Sequence, residues 1–152
     1  MTAKDELDRL LPHRSPMTLL AEAFPEKTPG TAEAVADTSD GCLFYDHAVG
    51  GVPACVALEY MAQTMALAVG RERLSKGADP AVGFVLGTRR MDVSVVKFAR
   101  DARYVARAEC TYTDAQFASF DCDIRDDSGK VVASATLTAF QPDEEELKEM
   151  TK

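Results

Sequence analysis

The chain has 152 residues, of which 46% are hydrophobic, enough apolar material for one domain with a core of its own. A formal net charge of −8 excludes a sequence-independent grip on nucleic acid, which needs lysine and arginine to displace phosphate counterions, and equally excludes attachment to an anionic membrane surface. Four cysteines without a CxxC pair, and no charged-then-apolar leader, point to free and mostly buried thiols in a reducing cytoplasm.

Residues 2–11 carry Leu7, Leu10 and Leu11 at helical spacing, with Asp5, Glu6 and Asp8 early, and predict a short amphipathic helix. Pro12 ends it, and residues 11–16 (LPHRSP) form a turn with two prolines. Residues 17–24 predict a first strand and residues 31–38, which alternate polar and apolar, a second. A loop with His47 follows. Pro53 suits the first turn of a helix because its missing N–H would have no partner there, and residues 53–75 are rich in helix formers. Apolar residues occupy every side of this segment, which predicts burial all round. Residues 52–69 approach the ~20 residues needed to cross a bilayer, but Glu59, Gln63 and Thr64 in the middle favour a helix buried in protein. Gly77 and Pro80 close it.

The second half predicts four strands, over residues 81–96, 103–113, 116–125 and 130–140. Gly87 marks a bulge in the first, residues 97–101 read as a charged turn, and the unlike parity of Phe117 and Phe120 calls for a further bulge or twist. Asp126-Asp127-Ser128-Gly129 is a hairpin turn. Residues 143–152 form an acidic tail without core residues, solvated or a frayed helix. One sheet covers an all-round apolar helix only by curling around it, and one flank still stays open, so the architecture predicts a dimer.

Glu59 and Gln63, at i and i+4, share one helix face. Alanines and methionines around Glu59 should desolvate its carboxyl and raise its proton affinity, the condition for a general acid near neutral pH. A lone buried glutamate is costly without a partner, which favours a functional or interfacial role over a structural one. His47 titrates near neutrality and could act as base, although a histidine beside Asp46 in a polar loop is as often a surface residue. Free N–H groups at Ala54 and Cys55, at the positive end of the helix, could stabilise an enolate-like oxygen. Together these groups describe proton abstraction beside a thioester carbonyl with loss of a β-hydroxyl. That chemistry needs no cofactor, and two histidines with scattered cysteines offer no metal-ligand spacing. Cys55 is most simply a small core residue, Met61, Met65 and Leu67 are core, and His13 supports its proline turn by hydrogen bonding.

Three features of the chain resemble the 3-hydroxyacyl-acyl-carrier-protein dehydratases of the hot-dog fold: Leu11-Pro12-His13-Arg14-Ser15-Pro16 beside the family's LPHRxP, the His47 loop, and Val52-Pro53-Ala54-Cys55 running into Glu59-Tyr60-Met61-Ala62-Gln63. The resemblance implies an α+β hot-dog domain over residues 1–142, a curled antiparallel sheet around a long central helix. It implies His47 as the base that removes the C2 proton and Glu59, reached across a dimer interface, as the acid that protonates the departing 3-hydroxyl. It further implies that Ala54 or Cys55 polarises the thioester carbonyl and that Gln63 orients the acid. The loop from His47 to Ala54 is two residues shorter than the family's HFPGxPxMPG, lacks its first two prolines, and has alanine for the final glycine. Two residues span several ångströms, more than proton transfer tolerates. The shortened loop is similar to that of a divergent branch found in aryl-polyene-type pigment clusters, which implies pairing with a second dehydratase subunit.

The resemblance therefore implies a dehydratase acting on acyl-carrier-protein or coenzyme A thioesters in fatty-acid or polyketide-type synthesis, as a homodimer or heterodimer. A hot-dog thioesterase, which uses a helix carboxylate to activate water, and a non-catalytic accessory subunit are the alternatives. An acidic carrier protein needs local basic residues to dock on, and Arg89, Arg90, Lys97, Arg100 and Arg103 could supply them; equally, they could blunt a solvated strand edge.

Overall fold

Residues Met1–Lys152 are described by a computed structural model. Helix α1 (Ala3–Leu10) opens with a capping box in which the Thr2 hydroxyl accepts from the Asp5 N–H and the Asp5 carboxylate accepts from the Thr2 N–H. Strands β1 (Leu20–Ala23), β2 (Thr31–Ala36) and β3 (Gly51–Pro53) precede a 3₁₀ turn (Ala54–Val56) and helix α2 (Ala57–Ser75). Then come β4 (Phe84–Val93), β5 (Lys97–Ala99), β6 (Val105–Asp114), β7 (Phe117–Arg125), β8 (Val131–Phe140) and helix α3 (Glu144–Met150). No residue of α3 is buried. No helix is long and apolar enough to cross a membrane.

Six strands form one antiparallel sheet in the order β1-β2-β6-β7-β8-β4, and its concave face wraps α2. The inward sides supply a close-packed core, with Ala32, Ala34, Ala106 and Ala108 opposite Met61, Met65 and Leu67 of the helix side. The small alanines on β2 and β6 let the sheet approach the larger helix side chains without voids. This is the hot-dog architecture.

Two expectations about α2 are corrected. Pro53 ends β3 and caps the 3₁₀ turn, so regular α-helix begins four residues later, at Ala57. Nor is the helix buried all round, because Leu58, Glu59, Ala66 and Val69 stay partly open along one flank. Beside that flank Gly70 allows α1 to dock: a Cβ there would sit 2.0 Å from the Leu10 carbonyl oxygen, inside contact distance.

The charged turn expected over residues 97–101 is partly strand. Lys97–Ala99 pairs antiparallel with Gly51–Pro53, placing Val52 opposite Phe98. Phe98 is fully buried, edge-on to Tyr60 (centroids 5.4 Å apart) and Tyr104 (5.0 Å). Three residues flanked by charges carry no usable periodicity, so only this aromatic stack identifies the strand. The bulge at Gly87 is present as a register shift between Val85 and Gly87. The parity break near Phe117 is absorbed on the neighbouring strand, between Cys110 and Tyr112.

Strand β4 forms the open edge of the sheet and exposes Phe84, Val85 and Leu86. Of the four free thiols only Cys122 is buried; Cys42 and Cys110 are half-buried, and Cys55, expected in the core, is exposed.

Candidate active site

Helix α2 presents Glu59 from its first turn and Gln63 one turn later. Gln63 is fully buried, and its carbonyl oxygen and both amide N–H groups are engaged. Its Oε1 accepts the Leu19 N–H (2.8 Å), and its Nε2 donates to the Met17 carbonyl (2.8 Å) and to Glu59 Oε1 (3.0 Å). The backbone donor and backbone acceptor fix which way the amide faces, since the flipped amide would set donor against donor. The side chain therefore fastens the segment after the LPHRSP turn to the helix and directs its remaining N–H at the carboxylate.

His13 approaches Glu59 from that same turn. Its Nε2 lies 3.7 Å from Glu59 Oε1, while its Nδ1 is buried without a hydrogen-bond partner. Burial pushes the imidazole below its ordinary range, and the neighbouring Glu59 charge opposes that shift in part. The expected role of His13 in hydrogen-bonding the loop belongs instead to Arg14, whose Nη1 donates to the Leu11 (2.8 Å) and His13 (2.7 Å) carbonyls. Sequence reading missed the contact because 46 positions separate the two residues; the LPHR stretch was the available signal.

His13 and Glu59 line a groove of about 750 Å³ between the open flank of α2 and the ends of β4, β7 and β8, with Ala62, Ala66, Phe84 and Phe140 among its apolar walls. The Glu59 side chain is 39% exposed, so the burial expected for it is incomplete within the single chain.

His47 lies elsewhere. It is exposed, edge-on to Tyr45 with centroids 4.9 Å apart, and does not line the groove. Its loop is short and closed: the Asp46 N–H donates to the Gly51 carbonyl (2.9 Å), and the Asp46 carboxylate accepts from the Ala48 N–H (2.9 Å) rather than from the imidazole. Gly50 turns the chain with φ +70°, and at Gly51 a Cβ would stand 2.3 Å from the Phe98 carbonyl oxygen. The structure thus brings Glu59 and Gln63 together but leaves His47 apart from the Glu59 of its own chain.

The N–H of Ala54, expected free, donates to the Val96 carbonyl (3.2 Å), because the segment entering β5 runs beside the helix start. The N–H of Cys55 takes part in none of the turn or loop backbone bonds.

The five cations are mostly engaged. Arg90 pairs with Asp92 (2.7 Å) on the exposed β4 edge, where Arg89 also sits. Arg100 pairs with Asp40 (2.8 Å) and Asp101 (3.2 Å), and the Arg103 guanidinium lies 5.6 Å from the Phe24 ring centroid. Lys97 donates to the Val49 carbonyl (2.6 Å) and the Arg100 N–H to that of Gly50 (3.3 Å), so both hold the His47 loop.

A family model for ApeP-like proteins, described as ApeP dehydratase, matches residues 5–152. The chain belongs to the ApeP-like dehydratase family. Among solved structures, this ApeP-like chain is similar to the dehydratase heterocomplex ApeI:P from Xenorhabdus doucetiae, at 27% identity and a TM-score of 0.85 over 96% of this chain and 97% of that one. It is also similar to the TT0310 protein from Thermus thermophilus (20% identity, TM-score 0.62, 86% of this chain and 100% of that one). A hypothetical thioesterase from Streptococcus pneumoniae, solved with coenzyme A, gives 17% identity and a TM-score of 0.60 over 83% and 90%. The last two likenesses show the fold alone. No curated protein sequence matches the chain. Family membership supports dehydration, a hydro-lyase reaction, as the chemistry of the chain.

Proposed function

We propose that this ApeP-like protein removes water from 3-hydroxyacyl thioesters carried on acyl carrier protein, giving trans-2-enoyl thioesters, as one half of a two-subunit hot-dog dehydratase in the cytoplasm. Glu59, held by Gln63 at the groove, is the observation that carries this reading. In the reaction, an imidazole takes the C2 proton, the C2–H electrons become the C2–C3 double bond, and the C3–O bond breaks. The hydroxyl leaves as water with the proton that Glu59 supplies. The Cys55 N–H is the donor left to polarise the thioester carbonyl once Val96 has taken Ala54.

A second subunit supplies what the single chain lacks. The open flank of α2 and the apolar edge strand β4 are surfaces a hot-dog partner would cover, and covering them would desolvate Glu59. An exposed His47 outside its own groove suits a base that serves a neighbouring subunit's acid. The solved ApeI:P structure is a dehydratase heterocomplex. Arg89, exposed on β4 and in no ion pair, offers the acidic carrier its least engaged cation.

The solvent-facing His47 and the captured Ala54 N–H favour one further reading, in which this chain contributes Glu59 alone and the base comes from the partner. Co-expression with the second subunit and mass spectrometry of carrier-bound product distinguish them. Loss of enoyl product in both Glu59→Gln and His47→Ala supports the two-residue mechanism, and loss only in Glu59→Gln supports the second reading. Full activity in Glu59→Gln rejects the assignment, and release of free thiol without enoyl product indicates a thioesterase.

A further inference from the structure

We propose that His13 is a positioning residue for Glu59, pairing with the same carboxyl oxygen that Gln63 holds and sharing its proton. This rests on the reading of Glu59 as the acid.

The geometry assigns each ring nitrogen a task. Nδ1 is buried and unpartnered. A buried N–H without an acceptor costs more than an under-used lone pair, so the neutral ring carries its hydrogen on Nε2, the nitrogen that faces Glu59 Oε1 at 3.7 Å. Oε1 already accepts from Gln63 Nε2, so the same oxygen is bonded to an amide one turn along its own helix and lies within ion-pair range of an imidazole from a distant loop. A carboxyl fixed at one oxygen leaves the other to face the groove, where a leaving hydroxyl would sit.

When the carboxyl has given up its proton, the pair is a neutral imidazole facing a carboxylate at 3.7 Å, ion-pair range rather than hydrogen-bond length. When a proton returns, it lodges on Oε1 or on Nε2 across the same line, and nothing else changes hands. The charged groups around the pair are few. Arg14 holds its guanidinium on backbone carbonyls of the same turn, and Glu72, Arg73 and Lys76 line the groove from later turns of α2, with Asp143 from the segment before α3.

The test needs no activity for its first arm. The chain has two histidines, so in the complex with its partner subunit, selectively labelled here, heteronuclear NMR follows His13 and His47 separately, with His47→Asn assigning the spectrum. Glu59→Gln should move the His13 midpoint to lower pH, because it removes the charge that favours the imidazolium, and should leave His47 in place. An unchanged His13 midpoint overturns the proposal, whatever the enzyme does. The second arm compares pH–rate profiles for carrier-bound 3-hydroxyacyl substrate. His13→Gln keeps a donor near the Nε2 position but cannot titrate, so it should retain the fold and KM while displacing the kcat profile along the pH axis. His13→Leu, which removes the donor too, should lower kcat at least tenfold further. A His13→Gln profile superimposable on wild type overturns the positioning role. Wild-type complex inactive at every pH would instead reject the dehydratase reading, while the NMR arm still decides the coupling.

Discussion

Gln63 donates one amide hydrogen to Glu59 Oε1 at 3.0 Å and spends its other contacts on Met17 and Leu19, so the candidate acid and the docking of the N-terminal segment share one side chain. Gln63→Leu should leave the buried Leu19 N–H without a partner and release the carbonyl of the exposed Met17. The expected loss is about 1–3 kcal/mol, the range for one unsatisfied buried group. Urea denaturation of the variant measures it. A loss under about 0.5 kcal/mol would mean that water or a shifted backbone replaces these bonds.

Gly70→Ala sets two effects against each other. Alanine favours a helix interior over glycine by about 1 kcal/mol. The new Cβ, however, would lie 2.0 Å from the Leu10 carbonyl oxygen, and α1 must shift to admit it. Overpacking costs about 1–3 kcal/mol, so net destabilisation is the expected result. A thermal melt with Ala66→Gly as the propensity control separates the two.

Phe98→Ala should cost about 3–5 kcal/mol, the range for removing a fully buried aromatic side chain. It would also release the β3–β5 ribbon that seats the His47 loop. Hydrogen exchange should then rise at Gly51–Pro53 more than in β6–β8, and equal protection throughout would detach the loop from the ribbon.

The two titrations with the clearest stability consequences run in opposite directions. Burial, reinforced by Asp121 and Asp123, pushes the Cys122 thiol from an ordinary value of 9.0 to about 12. Above pH 9 the unfolded chain loses a proton that the native chain keeps, so stability should fall between pH 9 and 12, and Cys122→Ala should flatten that slope. The thiol reagent order follows from exposure, with Cys55 first and Cys122 only on unfolding.

His13 is held below its ordinary value of 6.5, mainly by burial. As pH falls through 6.5 the unfolded chain takes up a proton that the native chain refuses, so stability should drop on the acid side and His13→Gln should remove that component. A wild-type and variant pair with parallel acid limbs would contradict the burial of His13.

The local chemistry of the chain determined its elements. A run of helix formers after Pro53, alternating strands after residue 81 and the turn at Asp126–Gly129 each carry their signal within a few residues, and the LPHR and Glu–Gln motifs added the family. Tertiary structure decided the rest of the site. Phe98 becomes a strand residue only when Tyr60 and Tyr104 enclose it, Ala54 loses its free N–H only when Val96 arrives beside it, and His13 meets Glu59 only when Gln63 ties the N-terminal segment to α2. All of these contacts but Phe98–Tyr104 join residues far apart in the chain, where spacing carries no information and only packing and hydrogen-bond satisfaction choose the partner.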